Sequence, residues 1–430
     1  MLTALSHPGK RSGARRLNLL GFMRLGFGCS LGGTASMRGL ILSLLLAFGW
    51  PVHAEVRSEI RLSSESFLSP AYDTAGPANA QFFGAAFATL DSEDPLKVDL
   101  RGAYSSDAPL MSYMNVKEFA YITSVGEDQR FSIGRKRERW SELDRRWAFG
   151  LIEPVFRWNP LAPEGQGLTG LFWGVGEGSV RLSLFGSLFF IPEQGASFEI
   201  DSEGRFVRGN PWFRRPPDSI RIFSTTSQIE YNFDRPREAD IVFQPSYGAR
   251  LEILREKEWV WRASGFYKPM NQLALGYTGI LDIPKDRGSV EIQPSVVYHQ
   301  VLASDLIYQS RRWRAGLSAI YDKPSDENPF SSEWTRPVYH VATLGSIFLD
   351  TRISPDWIFS LQTMGIEGGE ITEEGKWASE DRASITSRFP YRQASSVALE
   401  YQHRLSQRRR LQLRTSYLWS GLEKFQLVRL

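Results

Sequence analysis

The segment FSIGRKRERWSELDRRWAFGLIEPVFRWNPLAPEGQG, Phe131 to Gly167, concentrates Arg135, Lys136, Arg137, Arg139, Arg145, Arg146 and Arg157. Glu138, Glu142, Asp144 and Glu153 lie among them. Guanidinium groups and carboxylates at this density can do one kind of work without a nucleophile: they sort ions by charge at close quarters. If the stretch after Ser141 folds into an aqueous passage, its arginines narrow that passage and favour anions. The other reading is a solvated loop whose charges keep it soluble or touch a charged surface. Arg135, Arg137 and Arg139 share a phase with Phe131 and Ile133, so a strand here must either change register near Gly134 or end there.

Other chemistries find less support. Beyond residue 54 the histidines are His299, His340 and His403. None sits in a pattern joining a nucleophile, a base and an orienting group, so no catalytic residue is assigned and no enzyme is expected. The one cysteine, Cys29, precedes residue 54, which leaves the rest of the chain without thiol chemistry, disulfides or cysteine metal sites. DSEDP, near Asp91, lacks the glycine and ligand spacing of a calcium loop. No metal and no cofactor are expected. A formal charge of +3 over 430 residues gives no basic domain for nucleic acid. NPWFRRPPDS, inside the loop from Pro192 to Ser219, is stiffened by paired prolines and reads as a surface excursion or a lid.

These residues need elements to hold them. In LKVDLRGAY, Leu96, Val98, Leu100, Gly102 and Tyr104 take one side of an extended chain while Lys97, Asp99, Arg101 and Ala103 take the other. The same two-residue period returns in SVRLSLFGSLFF from Ser179, EWVWRASGFYK from Glu258, RWRAGLSAIYD from Arg312, SVALEYQHRL from Ser396 and LQLRTSYLW from Leu411. Such runs are strands. Only WSELDRRWAFGLIE, from Trp140, suggests a helix, and a short one inside a loop. Connections come in two sizes. Tight polar turns fall near Gly126, Arg255, Ser354 and Ser406. Long connections run from Ser141 to Gly167, Pro192 to Ser219, Lys323 to Pro337 and Gly368 to Asp381.

The apolar run LILSLLLAF, Leu40 to Phe48, follows Met37-Arg38 and precedes small residues near Ala54. A positive start, a short apolar run and small residues make a secretory signal, cut after Ala54. Residues 1–54 are therefore read as an N-terminal extension plus signal peptide, with translation starting at Met37, and 55–430 as one domain. No run is long enough for a membrane-spanning helix. A periplasmic β-sandwich would also alternate, but the expected reading of an exported chain with many strands of spanning length is a closed barrel, the one sheet that satisfies its backbone in lipid. Arg101, Arg181, Arg262, Arg314 and Arg414 share the polar phase of their strands. Facing lipid at mid-depth, each would cost about 2–4 kcal/mol, so all should point into the lumen. Arg250, Asp99, Glu230, Glu252, Glu291 and Glu400 are expected to line the same wall.

The signal, the alternating strands and the unequal connections resemble bacterial outer-membrane β-barrels of the porin-like type. The resemblance covers residues 55–430 and is architectural. It implies an all-β fold: a transmembrane antiparallel up-and-down barrel of about 16 strands, with 14 or 18 as alternatives, joined by short periplasmic turns and longer extracellular loops. One departure is the final strand, KFQLVRL, which lacks the terminal Phe or Trp that the assembly machinery usually reads. The expected function is passive diffusion of small polar or anionic solutes. Arg135, Arg137, Arg139, Arg145, Arg146, Glu153 and Arg157 would stand at the narrowing. A barrel with a plugged lumen, serving structure or surface interaction, is the alternative, and a barrel enzyme acting on lipid or peptide a more distant one. Expected partners are outer-membrane lipid and lipopolysaccharide, the barrel-assembly machinery, and other copies of the chain.

Overall fold

The structure is a computed structural model that describes residues 56–66, 79–89, 95–105, 110, 112–160, 162–196, 198–201, 206–209, 216, 219–222, 225–234, 236–255, 258–282, 287–327, 329–331, 333–375, 388–404, 410–422 and 425–429. The signal region, Cys29, the turn at Asp91 and nearly all of NPWFRRPPDS lie outside these residues.

Alternation in the sequence becomes a 16-stranded antiparallel sheet in which hydrogen-bonded neighbours follow chain order. Its first half is β1 (Val56–Ser66), β2 (Asn79–Thr89), β3 (Leu96–Tyr104), β4 (Tyr113–Val125), β5 (Gln129–Lys136), β6 (Leu168–Glu177), β7 (Val180–Ser187) and β8 (Ser246–Arg255). The second half is β9 (Trp259–Pro269), β10 (Tyr298–Gln309), β11 (Trp313–Pro324), β12 (Ala342–Arg352), β13 (Trp357–Gly368), β14 (Gln393–Arg404), β15 (Arg410–Ser420) and β16 (Phe425–Arg429). This is the up-and-down barrel expected from the sequence. The β4–β5, β6–β7, β8–β9, β10–β11 and β12–β13 connections are tight turns at one end. Residues 137–167, 188–245, 270–297, 325–341 and 369–392 form long connections at the other.

Two solvents explain the pattern on each strand. In β10, Leu302 and Leu306 are 57% and 41% exposed, whereas Val301, Ala303 and Ile307 between and beside them are buried. β11 and β12 repeat this, with Leu317 and Ile347 outward and Ile320 and Leu344 inward. A continuous exposed apolar face is compatible with hydrocarbon, not with water. Aromatic pairs mark both edges of that face: Trp259–Tyr308 and Trp357–Tyr401 near the tight turns, and Tyr247–Tyr267 and Tyr267–Tyr298 near the long connections, all with ring centres 5.0–5.4 Å apart. Amphipathic rings favour the headgroup level. Among the described residues no helix is long and apolar enough to cross a membrane.

The long connections build a second sheet. Ser219–Ile222, Thr225–Phe233, Arg287–Ser295 and Ala274–Asp282 form four strands, with Thr225–Phe233 and Arg287–Ser295 parallel. Ile229, Tyr231, Ile292 and Phe206 make its core. One expectation is corrected here: Glu230 and Glu291 belong to this cap, not to the barrel wall. The physical reason is that a cap strand and a wall strand share the same period, so alternation cannot tell them apart.

Candidate functional site

The segment between β5 and β6 leaves the wall after Lys136. Gly134 has φ 118°, a backbone conformation that disfavours a side chain, and a Cβ there would run into the Phe119 carbonyl. The register shifts instead between β3 and β4, beside Asp99 and Leu100. The Arg135 guanidinium then turns to protein acceptors: the Val116 carbonyl at 3.0 Å, the Gly167 carbonyl at 3.1 Å and Gln166 Oε1 at 2.9 Å. Of the two sequence alternatives the second operates: pairing runs unshifted through Gly134 on both sides, and the strand ends at Lys136. Arg137 lies 3.8 Å from Asp99, and its N–H donates to Glu118.

Residues 140–152 then turn inward. Ser141 caps α1 (Glu142–Trp147) by accepting from the Asp144 N–H at 3.4 Å. Glu142 and Asp144 occupy the first turn and Arg145 and Arg146 the last, each sign matching the helix dipole. After Ala148, with φ 50°, the chain folds back because the Asp144 carboxylate accepts from the Leu151 and Ile152 N–H groups, both at 2.9 Å. The fold-back places Trp140, Leu143, Trp147, Phe149, Leu151 and Ile152 in one core with wall residues such as Phe172, Phe266, Val301, Ile320, Leu344 and Met364. Trp140 meets Phe266 edge-on at 4.8 Å, and Trp147 Nε1 donates to Ser346 Oγ at 3.0 Å.

The other side of α1 is a cage of charge. Glu142 is fully buried. Arg145 and Arg314 each approach its carboxylate at 2.6 Å, Arg146 at 3.5 Å and Arg262 at 3.8 Å. Burial alone would push this carboxyl up, but Arg145 and Arg314 overcome it and hold it down at about 2. Arg262 also binds Glu252 at 2.8 Å and Asp305 at 3.4 Å, and Asp305 accepts from the Glu142 N–H at 3.0 Å. Arg146 reaches Asp350 with both terminal nitrogens and lies 3.7 Å from the centre of the Phe348 ring. Arg250 pairs with Glu138 at 3.1 Å and donates to the Arg139 carbonyl at 3.1 Å.

The far leg crosses to the opposite wall. Arg157 pairs with Glu193 and donates to the Ala148 and Phe149 carbonyls, both at 2.8 Å. Glu153 accepts from the Glu138 N–H at 2.8 Å, and burial pushes its carboxyl up to about 8. Glu164 takes Arg101 and Asn115, each at 3.0 Å, and Gln166 donates to Asn115 at 2.6 Å. One segment thus reaches from β8–β12 to β3–β4 through the interior. Arg181 and Arg414 are about 60% exposed and have looser partners, Glu252 at 3.6 Å and Glu400 at 3.9 Å.

Several partners escaped the sequence reading. Asp305 and Asp350 sit in the inward phase of β10 and β12, so alternation could have exposed them. Lys268 is buried, donating to the Pro269 carbonyl and to Asn271 Oδ1. His299 bonds Asp322 at 2.8 Å, and Asp322 also pairs with Arg388. No local motif announces that cluster, which three separate segments assemble. His340 meets Thr372 at 2.9 Å, and His403 lies 3.7 Å from Asp356.

No family model and no curated protein matches this chain. Solved structures do resemble it. A loop-L8 deletion mutant of OmpT, an outer membrane protein of Vibrio cholerae, is 8% identical, with 85% of this chain and 91% of that chain covered and a TM-score of 0.39. Wzi, an Escherichia coli outer membrane protein involved in group 1 capsule assembly and described as a carbohydrate-binding β-barrel, is 11% identical, with coverage of 92% and 83% and a TM-score of 0.36. OmpF of Salmonella typhi, in complex with daunomycin, is 8% identical, with coverage of 85% and 90% and a TM-score of 0.37. The apolar outer band, paired aromatic edges and up-and-down sheet of this chain are those of a β-barrel that crosses a membrane with its strands.

Proposed function

We propose that this barrel is a closed outer-membrane protein, stoppered by residues 137–167, that carries its cap sheet at the cell surface for interaction with other molecules. The observation that supports this reading is the continuous core joining Trp140, Leu143, Trp147 and Ile152 to inward residues of the wall. A porin-type narrowing needs a hydrated, charged edge. Here the inward segment instead buries aromatic rings against the barrel, and its carboxylates are taken by wall arginines, as at Glu138, Glu142 and Glu164, or by the segment's own backbone N–H groups, as at Asp144 and Glu153. Deep ion pairs with saturated partners hold a structure in place more readily than they conduct.

A second reading is the passage of small polar or anionic solutes past a displaced segment. It draws on the half-exposed Arg181 and Arg414 in the lumen. Proteoliposome swelling separates the two. Vesicles carrying the folded barrel should stay as tight to arabinose and to acetate as empty ones. Swelling rates near those of an open 16-stranded barrel would replace the closed reading with the channel reading. No catalytic step belongs to either proposal.

A further inference from the structure

The apolar outer face does not stop at the tyrosines on its long-connection edge. Two legs carry it further: residues 188–191, which leave β7, and residues 238–245, which enter β8 from the cap strand Thr225–Phe233. Leu188 is 68% exposed, Phe243 60%, Phe189 49% and Ile191 37%. Large apolar side chains bared together mark a surface that something covers.

Local chemistry builds the patch. Strict alternation would expose Leu188 and bury Phe189. Instead the Ser187 hydroxyl bonds both backbone groups of Phe189, its N–H and its carbonyl, each at 2.9 Å. Leu188 and Phe189 are then both exposed, and Phe190 is buried. The Phe190 N–H donates to the Val242 carbonyl at 2.7 Å and clasps the two legs together. Across this clasp the Phe189 and Phe243 rings lie 5.5 Å apart. Buried Ile241 anchors the second leg as Phe190 anchors the first. The short helix Glu238–Val242 is charged where it begins, with Arg237 and Asp240 paired at 3.0 Å in solvent, and apolar where it ends.

Continuity names what covers the patch. Leu184 of β7 and Tyr247 of β8 are exposed on the lipid face of the same two strands, and the positions between them and the clasp, Gly186 and Pro245, are apolar. The row Tyr247–Tyr267–Tyr298 stands at the foot of the clasp. The Tyr298 hydroxyl lies 3.0 Å from Gln244 Oε1 and 3.1 Å from the Pro245 carbonyl, so the foot is bonded to the tyrosine row itself. An apolar surface that prolongs a lipid-facing wall, topped by a charged helix start, suits the level where acyl chains meet headgroups.

We propose that Leu188, Phe189, Ile191 and Phe243 form a wedge that dips into the lipid leaflet on the long-connection side, with the acyl chains beside the barrel as its partner. The wedge holds the root of the cap against the membrane, because the leg bearing Phe243 is the cap's own link to β8. It requires a membrane-crossing barrel but neither an open nor a closed lumen, so it stands apart from the closed and channel readings alike.

Spin labelling of the full chain in phosphatidylethanolamine–phosphatidylglycerol vesicles tests this. Cys29 is the only cysteine, so with Cys29→Ser each introduced thiol carries one nitroxide. Leu188→Cys and Phe243→Cys are compared with Leu302→Cys on the lipid face of β10 and Asn232→Cys on the exposed side of the cap. Oxygen concentrates in lipid and a nickel chelate in water. Labels at 188 and 243 should collide several-fold more often with oxygen than with the chelate, as at 302, and the label at 232 should show the reverse. Adding Phe189→Ser and Phe243→Ser together should make the label at 232 more mobile while the label at 302 keeps its signal, which reports an intact wall. The proposal is overturned if the labels at 188 and 243 meet the chelate as often as the label at 232 does. It is equally overturned if both are shielded from both reagents, which would mean that a second copy covers the patch, or if the double serine variant leaves the label at 232 unchanged.

Discussion

Arg314 of β11 donates to Glu142 of α1 at 2.6 Å across 172 positions of sequence. That bond ties the inward segment to a wall strand that forms far later in the chain. Arg145 and Arg314 would both lose their nearest counter-ion if Glu142 were neutralised.

Glu142→Gln should therefore undock residues 140–152 without unfolding the barrel. Removing one partner of a buried pair costs about 3–5 kcal/mol, because the remaining charge stays uncompensated. Hydrogen exchange of the α1 amides should accelerate by roughly two to four orders of magnitude at that cost, while β10 and β11 amides stay protected. Unchanged exchange in α1 would contradict the cage.

Acid should loosen the same segment. The docked Glu142 carboxyl titrates at about 2 against an ordinary 4.5. A carboxyl lowered on docking contributes stability above 4.5 that is lost as pH falls towards 2. Glu153 acts at the other limb: raised to about 8, it contributes stability below 4.5 that is lost as pH rises through 8. Tryptophan fluorescence, with Trp140 and Trp147 as reporters, should move towards the exposed signal below pH 4 and above pH 8. The acid change should shrink in Glu142→Gln.

Trp147→Ala should also weaken docking, by about 3–5 kcal/mol, since it leaves a cavity among aromatic neighbours. It also removes the 3.0 Å bond to Ser346. Ser346→Ala should cost about 1 kcal/mol, because its hydroxyl also donates to the Thr363 carbonyl. Thermal melts followed by near-ultraviolet dichroism read both.

The wall makes its own prediction. Leu302 is 57% exposed on the lipid face of β10. Leu302→Arg should lower barrel stability by about 2–4 kcal/mol in a bilayer. Urea-induced unfolding from vesicles measures it. A neutral result would place Leu302 in water.

Much of this was legible in the sequence. Two-residue alternation located the wall strands and put Arg262 and Arg314 on the inward side, because lipid and protein interior demand opposite faces of one strand. WSELDRRW suggested a short helix inside a loop, and the structure adds the serine cap, acidic first turn and basic last turn that hold it. The cap was not legible: Thr225–Phe233 and Arg287–Ser295 alternate as wall strands do, and only their long-range parallel pairing sets them apart. Glu142 looked like one charge in a run, since nothing local says that Arg262, Arg314 and Asp305 converge on it. The phase conflict at Arg135 was visible, but its resolution depended on carbonyls supplied by Val116 and Gly167.

Single-channel conductance in planar bilayers tests the central claim most directly, comparing the intact barrel with a variant in which residues 138–166 are replaced by a short glycine-serine linker. The account predicts a silent intact protein and large, long-lived openings once the segment is gone. Steady ohmic current of similar size from both proteins would contradict it.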